Sequence, residues 1–278
     1  MLALRPGTVV LDATVGLGGH AEAILERTGP SGRLIGLDRD EQALGAARRR
    51  LEKYGERAAL IHGHFGELEK ALDKLGAGEI QGALFDLGVS SLQLDEAGRG
   101  FSFGREGPLD MRMDPTQPVT AAEIVNRAPE EELREMIRSY GEERWAGRIA
   151  RAIVRKRPLA TTAQLAELVR GAVPGAARHE RIDPATRTFQ AIRIAVNKEL
   201  ELLPLGLAQA VRRMSAGGRI VVLSYHSLED RIVKVTFREQ AREKILEVVT
   251  KKPLRPSEEE TARNPRSRSA RLRTAERL

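Results

Sequence analysis

The first part of the chain alternates short β-rich runs with segments of helical spacing. The predicted strands are residues 8–12, 33–38, 59–62 and 80–86. The predicted helices between them are residues 21–27, 41–54 and 67–75. Strands separated by helices of this length form βαβ units, and such units require a parallel sheet. This alternation restricts the chain to the α/β class more firmly than any single motif does.

The pattern changes at residue 120, after which helices follow one another until a fifth strand at residues 218–224. Thr120 and Glu123 fit a helix capping box at the start of this helical part. A helix over residues 228–242 and a β-rich run over residues 245–250 follow the fifth strand. We therefore predict a discontinuous α/β domain, residues 1–118 and 216–278, interrupted by an all-helical domain at residues 119–215.

Composition excludes several classes of protein. Hydrophobic residues make up 41% and charged residues 31% of the chain, a balance typical of a folded globular protein. The absence of cysteine excludes disulfides, thiolate zinc sites, iron–sulfur clusters and cysteine nucleophiles. No apolar run approaches the roughly 18 residues of a membrane span, and the first residues do not resemble a signal peptide. We therefore expect a cytoplasmic protein without membrane contacts.

The positive charge is concentrated at the end of the chain. Residues 251–278 contain nine Lys or Arg and four Asp or Glu, which accounts for most of the net charge of +7. A basic segment without apolar anchors favours nucleic acid over a membrane as its partner. A solvated, disordered tail fits the same composition.

A glycine-rich loop at residues 15–20 lies between the first predicted strand and the first predicted helix. Its glycines allow close backbone approach to a ligand and expose N–H groups at a helix N-terminus. With Ala21 the loop satisfies the dinucleotide fingerprint G-x-G-x-x-[GA], which alone is a weak signal because a plain strand-to-helix turn also fits it. Asp12 and Asp38 end the first two strands, and their charge favours a cationic ligand with ribose hydroxyls over NAD. S-adenosylmethionine, with its ammonium, sulfonium and ribose, fits these acids best.

Two further strand ends carry polar side chains. His62 ends the third strand and is followed by His64 and Phe65, and Asp86 ends the fourth. Open α/β sheets bind ligands at this edge, where Phe65 is suited to pack on an adenine face. We expect the two histidines to be ordinary loop residues because no third metal ligand is evident nearby. Asp86 either points into the ligand crevice or caps the next helix.

Six sequence blocks, found in order along the chain, resemble the bacterial MraW/RsmH family. They are DLGVSSLQLD at 86–95, GRGFSF at 98–103, PLDMRMD at 108–114, RTFQAIR at 187–193, SYHSLEDR at 224–231 and NPRSRS at 264–269. Enzymes of that family use S-adenosylmethionine to methylate N4 of a cytidine in the decoding region of 16S rRNA. The resemblance implies a Rossmann-like class I S-adenosylmethionine-dependent methyltransferase sheet with an inserted helical domain. It implies 16S rRNA or the 30S small subunit as partner and leaves a homodimer open.

The resemblance also implies roles for particular residues in cofactor binding. Gly18, Gly19 and His20 are expected at the methionine end of the cofactor. Asp38 is expected at the ribose and Phe65 beside the adenine. Asp86 and Gln93 are expected to complete the pocket. The charge argument above adds Asp12 to these cofactor contacts. No metal is implied.

The group that accepts the amino protons of cytosine is less determined. Many amino-methyltransferases use an Asp/Asn/Ser-Pro-Pro-aromatic loop, whereas this chain has Asp-Leu-Gly-Val from residue 86. The candidates are Asp86, groups near Ser90, Asp110 and the segment 224–226, where His226 is a possible general base or a structural histidine.

Two sets of residues are candidates for RNA contacts. Arg187 and Arg193 share a helix stripe with Gln190 and Asn197, a stripe that is either solvated or turned toward RNA. In the basic tail we expect four side chains to contact phosphates: Arg266, Arg268, Arg271 and Arg273. Phe101 and Phe103 either stack on bases or anchor their loop in the core.

Two alternative functions fit part of the same observations. An NAD(P)-dependent oxidoreductase has the same fold class, although Asp12 and Asp38 disfavour NADP. A non-catalytic RNA-binding assembly factor accounts for the basic tail but predicts no methyl transfer.

Overall fold

The computed structural model describes residues 1–175 and 182–278, and these form two compact units. The first unit comprises Met1–Gly88 and Leu200–Leu278, and the second comprises Val89–Glu199. Among the described residues, no helix is both long and apolar enough to cross a membrane.

The first unit is built on a seven-stranded sheet in the order β3-β2-β1-β4-β5-β7-β6. The strands are β1 (Val9–Asp12), β2 (Arg33–Asp38), β3 (Ala58–His62), β4 (Ile80–Asp86), β5 (Met214–Ser224), β6 (Leu246–Val248) and β7 (Arg271–Arg277). Strands β1 to β5 pair in parallel, whereas β7 runs antiparallel to both β5 and β6. The strand order reverses beside β1, and in sheets of this kind such a reversal opens a crevice for ligands.

Helices join and cover the strands of this unit. They are α1 (Gly19–Arg27), α2 (Glu41–Leu51), α3 (Leu68–Lys74), α10 (Glu199–Arg212, which starts at the last residue of the second unit), α11 (Ser227–Arg242) and α12 (Glu258–Arg263). Buried aliphatic side chains from β1, β2 and β4 form two apolar clusters with α1, α2, α3, α10 and α11. The first four predicted strands and the three helices between them are confirmed, with small shifts at their ends.

The second unit is helical. Its helices are α4 (Ser91–Asp95), α5 (Ala121–Arg127), α6 (Glu130–Gly141), α7 (Ala146–Lys156), α8 (Thr162–Ala172) and α9 (Ala185–Asn197). The predicted capping box of Thr120 and Glu123 is present at the start of α5. A continuous apolar core joins these helices to the loop that precedes α5.

The two units divide the chain at different residues from the predicted 119 and 215. Leu109, Met111 and Met113 lie in a loop without periodicity, yet they are buried in the core of the helical unit. Conversely, Leu203 and Leu207 of α10 are buried in the core of the sheet unit. Periodicity identifies helices, but it does not show which core a loop or a helix joins.

Part of the basic end of the chain is folded into the sheet. Residues 271–277 form β7, which pairs with β5 from Arg219↔Glu276 to Ser224↔Arg271. The alternative of a disordered tail is therefore wrong for these residues. Their many charges hide the strand because only the central residues of β7, Arg273 to Ala275, are buried.

Candidate active site

Three aspartates stand at the carboxyl ends of neighbouring strands. Asp12, Asp38 and Asp86 are the last residues of β1, β2 and β4, and β1 lies between the other two strands in the sheet. Because these strands are parallel, the three carboxyl groups share one edge of the sheet. Asp12 and Asp86 flank the point at which the strand order reverses.

Asp38 organises the glycine loop. Its Oδ2 accepts the Gly16 N–H at 2.7 Å, and its Oδ1 accepts the Asp40 N–H at 2.9 Å. Gly18 precedes α1 with a φ of +81°, and a Cβ there would lie only 3.3 Å from the backbone of Ala47 in α2. Glycine is therefore required at this position by both conformation and space. Burial raises the pKa of Asp38 despite these two hydrogen bonds.

Asp12 is a fully buried carboxyl group with only half of its hydrogen bonds satisfied. Its Oδ1 accepts the Thr14 N–H at 3.1 Å, but its buried Oδ2 has no hydrogen-bond partner in the structure. The pKa of Asp12 is raised from 3.8 to about 7, chiefly by burial and also by the charges of Asp86 and Asp38, while the hydrogen bond from Thr14 acts to lower it. An orphaned buried carboxylate oxygen requires either a proton or a cation.

Asp86 is held from three sides but remains partly exposed. Its backbone N–H donates to Thr14 Oγ1 at 2.7 Å, and its Oδ1 accepts the phenol O–H of Tyr225 at 3.0 Å. Its Oδ2 lies 3.5 Å from Nδ1 of His20, whose side chain is largely exposed. Burial raises the pKa of Asp86, while His20 and Tyr225 act to lower it. A carboxylate with a raised pKa is a stronger base, which suits a group that accepts a proton.

Phe65 follows β3 and begins a short 3₁₀ turn. Its half-buried ring meets that of Phe85 edge-on, with the ring centroids 5.8 Å apart. Gly206 permits this arrangement, because a Cβ there would lie 2.8 Å from the Phe65 ring. His62 Nε2 lies 3.0 Å from the Arg39 carbonyl, and His64 Nδ1 accepts the Gly66 N–H.

The other two catalytic candidates have partners of their own. Asp110, in the helical unit, binds Arg112 through both carboxylate oxygens, at 2.8 and 2.7 Å. Burial alone would raise the pKa of Asp110, but the hydrogen bonds from Arg112 hold it below its usual range. His226 caps α11: its Nδ1 accepts the Glu229 N–H at 3.4 Å, and its Nε2 lies 3.2 Å from Glu229 Oε1.

Gln93 lies buried in the second unit, where it completes the N-terminal cap of α4. Its Oε1 accepts the Ser90 N–H at 3.0 Å, and its own N–H donates to Ser90 Oγ at 3.2 Å. The cofactor contact of Gln93 stays a prediction.

The predicted arginine stripe of α9 is bound within the helical unit. Arg193 makes a bidentate pair with Glu199 at 2.8 and 2.9 Å, and Arg187 lies 3.8 Å from Glu143. Asn197 is buried and bridges the Met113 N–H and the Met111 carbonyl, each at 2.8 Å. The polar side chains of this stripe therefore stabilise the helical unit. RNA contacts by Arg187 and Arg193 stay predictions.

The tail arginines divide into two groups. Arg273 is buried and its Nε donates to Asp230 of α11 at 2.6 Å, while Arg271 reaches the same carboxylate at 3.2 Å. These two side chains therefore bind β7 to α11, which the sequence did not predict. Arg266 and Arg268 are exposed and stay predicted phosphate contacts. Phe101 and Phe103 both pack in the helical core, so the anchoring alternative is confirmed for them.

The sheet edge fits a cationic nucleoside ligand. The orphaned Oδ2 of Asp12 can be satisfied by a proton or by positive charge on a ligand. The glycine loop keeps backbone close to the crevice, and Asp38 and Phe65 lie at the ends of neighbouring strands. The sheet has the order β3-β2-β1-β4-β5-β7-β6 with β7 antiparallel, and acids end β1, β2 and β4. These features together define a Rossmann-like class I methyltransferase, whose methyl donor is S-adenosylmethionine.

Comparison with known proteins identifies the family. The model of the MraW methylase family matches residues 1–278, and the chain belongs to that family. A ribosomal RNA small subunit methyltransferase H of Pelobacter propionicus is 52% identical over 100% of this chain and 95% of its own length. The protein of the same name from Thermobifida fusca is also 52% identical, over 98% of this chain and 88% of its own length.

Solved structures include more distant matches. An rRNA methylase from Streptococcus thermophilus aligns with 99% of this chain and 89% of its own, at a TM-score of 0.47 and 13% identity. A Streptococcus mutans protein solved in complex with SAH aligns with 99% of this chain and 91% of its own, at a TM-score of 0.48 and 14% identity.

Proposed function

We propose that this protein transfers a methyl group from S-adenosylmethionine to N4 of a cytidine in the decoding region of 16S rRNA. The single observation that carries the cofactor assignment is the buried, orphaned oxygen of Asp12 beside the glycine loop. Family membership and the names of the relatives support rRNA of the small subunit as substrate. The N4 atom and the decoding region follow from the sequence resemblance.

The roles of the strand-end residues follow from their environments. Asp12 holds positive charge of the cofactor, because its buried oxygen has no other partner. One carboxylate oxygen of Asp38 accepts the Gly16 N–H of the glycine loop. The same side chain therefore positions the loop and would make the predicted ribose contact. The glycine loop and His20 take the methionine end, and the half-buried face of Phe65 takes the adenine.

Asp86 is the group we assign to the amino protons. Its carboxylate is partly exposed, at 26%, whereas Asp12 is fully buried and Asp110 and His226 are bound to neighbours. Bound S-adenosylmethionine supplies an electrophilic methyl group on a sulfonium. Asp86 would accept a hydrogen bond from the N4 amino group and so orient this weak nucleophile toward the methyl group. The N4 proton then passes to Asp86 or to water.

The helical unit and the exposed tail arginines are assigned to RNA. A cytosine within a duplex cannot present N4 to a buried methyl group, so the target nucleotide must be unpaired or flipped out. Contacts remote from the reacting atoms position a weak nucleophile, and a truncated substrate loses both turnover and affinity. We therefore expect activity on assembled small subunits or large fragments of them, and almost none on cytidine, CMP or short duplexes.

The test is transfer of labelled methyl groups to small subunits that lack the modification, followed by digestion to nucleosides. The expected product is N4-methylcytidine at one site, with kcat/KM for free cytidine lower by several orders of magnitude. Comparable kcat/KM for cytidine would remove the helical unit and the tail from substrate recognition. RNA binding without methyl transfer would favour the assembly-factor alternative.

A further inference from the structure

We infer that Tyr225 is a positioning residue that fixes the carboxylate of Asp86 for the transfer step. This inference rests on the proposed function of Asp86 as acceptor of the amino protons. Tyr225 follows β5, the strand beside β4, and its phenol O–H donates to Asp86 Oδ1 at 3.0 Å. With Oδ1 occupied, Oδ2 is left toward His20 and is the oxygen available to a substrate amine.

The backbone of Tyr225 is itself held in place. Oε2 of Glu229, a buried residue of α11, accepts the Tyr225 N–H at 2.9 Å and the His226 N–H at 3.4 Å. The Glu229 carboxylate, which also completes the N-terminal cap of α11, thus fixes the backbone of Tyr225. The tyrosine ring also lies beside Gly88, where a Cβ would be 3.7 Å from the ring. The Tyr225 phenol is therefore held toward Asp86 by a fixed backbone and a packed ring.

The start of α11 is also bound to β7. Asp230, one residue after Glu229, binds the guanidinium groups of Arg273 and Arg271 on β7. Strand β7 pairs with β5 along the same stretch that leads into Tyr225. Asp230 thus binds α11 to β7, and its neighbour Glu229 binds the start of α11 to the backbone of Tyr225.

Four charged or titratable groups face Asp86 from the elements around it. His20 of α1 and the Tyr225 hydroxyl favour its ionised form, while Glu229 of α11 and Asp12 of β1 oppose it. Burial raises the pKa of Tyr225 well above its ordinary value, and Asp86 raises it further, so the phenol keeps its proton and stays a donor. Removing that donor destabilises ionised Asp86, and its pKa must then rise.

The experiment compares Tyr225→Phe with the native protein. The substitution removes one hydroxyl and keeps the ring, so the packing of the segment is preserved. The titration of Asp86 is followed by NMR of aspartate labelled with ¹³C at the carboxyl carbon, and its signal is assigned with Asp86→Asn. We expect the midpoint of Asp86 to rise by about one pH unit, the size of one lost hydrogen bond to a charged group.

The kinetic readout is the acid limb of kcat on small subunits, which moves to higher pH in Tyr225→Phe while KM for the particle is unchanged. Tyr54→Phe is the matched control, because the exposed hydroxyl of Tyr54 contacts Glu26 at 3.4 Å on a different face of the unit. An unchanged Asp86 midpoint in Tyr225→Phe, or an equal shift in Tyr54→Phe, overturns the inference. If the native protein transfers no methyl group, the proposed function fails, while the titration still decides the role of Tyr225.

Discussion

Exchanging Asp12 for asparagine is expected to stabilise the protein and to weaken its cofactor binding at the same time. Asp12 is fully buried, one of its oxygens has no partner, and its pKa is raised to about 7. In the unfolded chain the same group titrates near its ordinary value of 3.8. Above pH 7 the fold therefore contains an ionised carboxylate that it disfavours.

The magnitude follows from the linkage between proton binding and folding. The folded state binds the Asp12 proton more tightly, so stability is lost as pH rises from about 4 to about 7. At about 1.4 kcal/mol for each pH unit, the full loss is on the order of 4 kcal/mol. Asparagine cannot ionise, so the variant's free energy of unfolding lacks this pH dependence. The stability of Asp12→Asn relative to the native protein should therefore rise by about 2 kcal/mol between pH 5.5 and pH 8.5.

Urea unfolding of both proteins at the two pH values measures this difference. Asp40→Asn serves as the matched control because Asp40, also buried, accepts the Gln42 N–H at 3.1 Å as the N-cap of α2, where an asparagine can do the same. S-adenosylmethionine should bind Asp12→Asn at least tenfold more weakly. A stability difference that does not widen with pH refutes the reasoning, since Asp12 would then be compensated within the protein.

Two further predictions concern the end of the chain. Arg273→Met should destabilise the protein by about 3 kcal/mol, because it leaves the buried Asp230 with Arg271 alone. Arg271→Met, at a more exposed position, should cost clearly less in the same thermal unfolding series. Joint replacement of Arg266 and Arg268 by alanine should lower the salt slope of RNA binding by roughly one to two, with thermal unfolding measured alongside as a check on the fold. An unchanged salt slope would remove these two side chains from the RNA interface.

The parts of the fold that could be predicted are those that repeat. The strands from Val9 to Asp86 are continuous apolar runs, and the helices between them are marked by caps and by glycine or proline. The site residues on these strands follow from the rule that ligands bind at carboxyl ends, which placed Asp12, Asp38 and Asp86 at one edge. Such features are local in sequence.

The parts that could not be predicted depend on partners far away in the chain. Strand β7 has a charged sequence, and it becomes a strand because β5 and β6 pair with it and Asp230 neutralises Arg273. The contact of Tyr225 with Asp86 joins residues 139 positions apart. The block SYHSLEDR indicates a capped helix after a strand. The contact between the Tyr225 N–H and the Glu229 side chain is local in this block and could have been predicted from it.

The measurement that tests the account most directly is calorimetric titration of S-adenosylmethionine into the native protein and into Asp38→Ala. Asp38 joins the glycine loop to the predicted ribose contact, and a hydrogen bond to a charged group contributes about 1.5–3 kcal/mol. We expect one site on the native protein, at least tenfold weaker binding by Asp38→Ala, and no comparable binding of NAD. Equal affinity of the two proteins for S-adenosylmethionine, or tight binding of NAD, would contradict it.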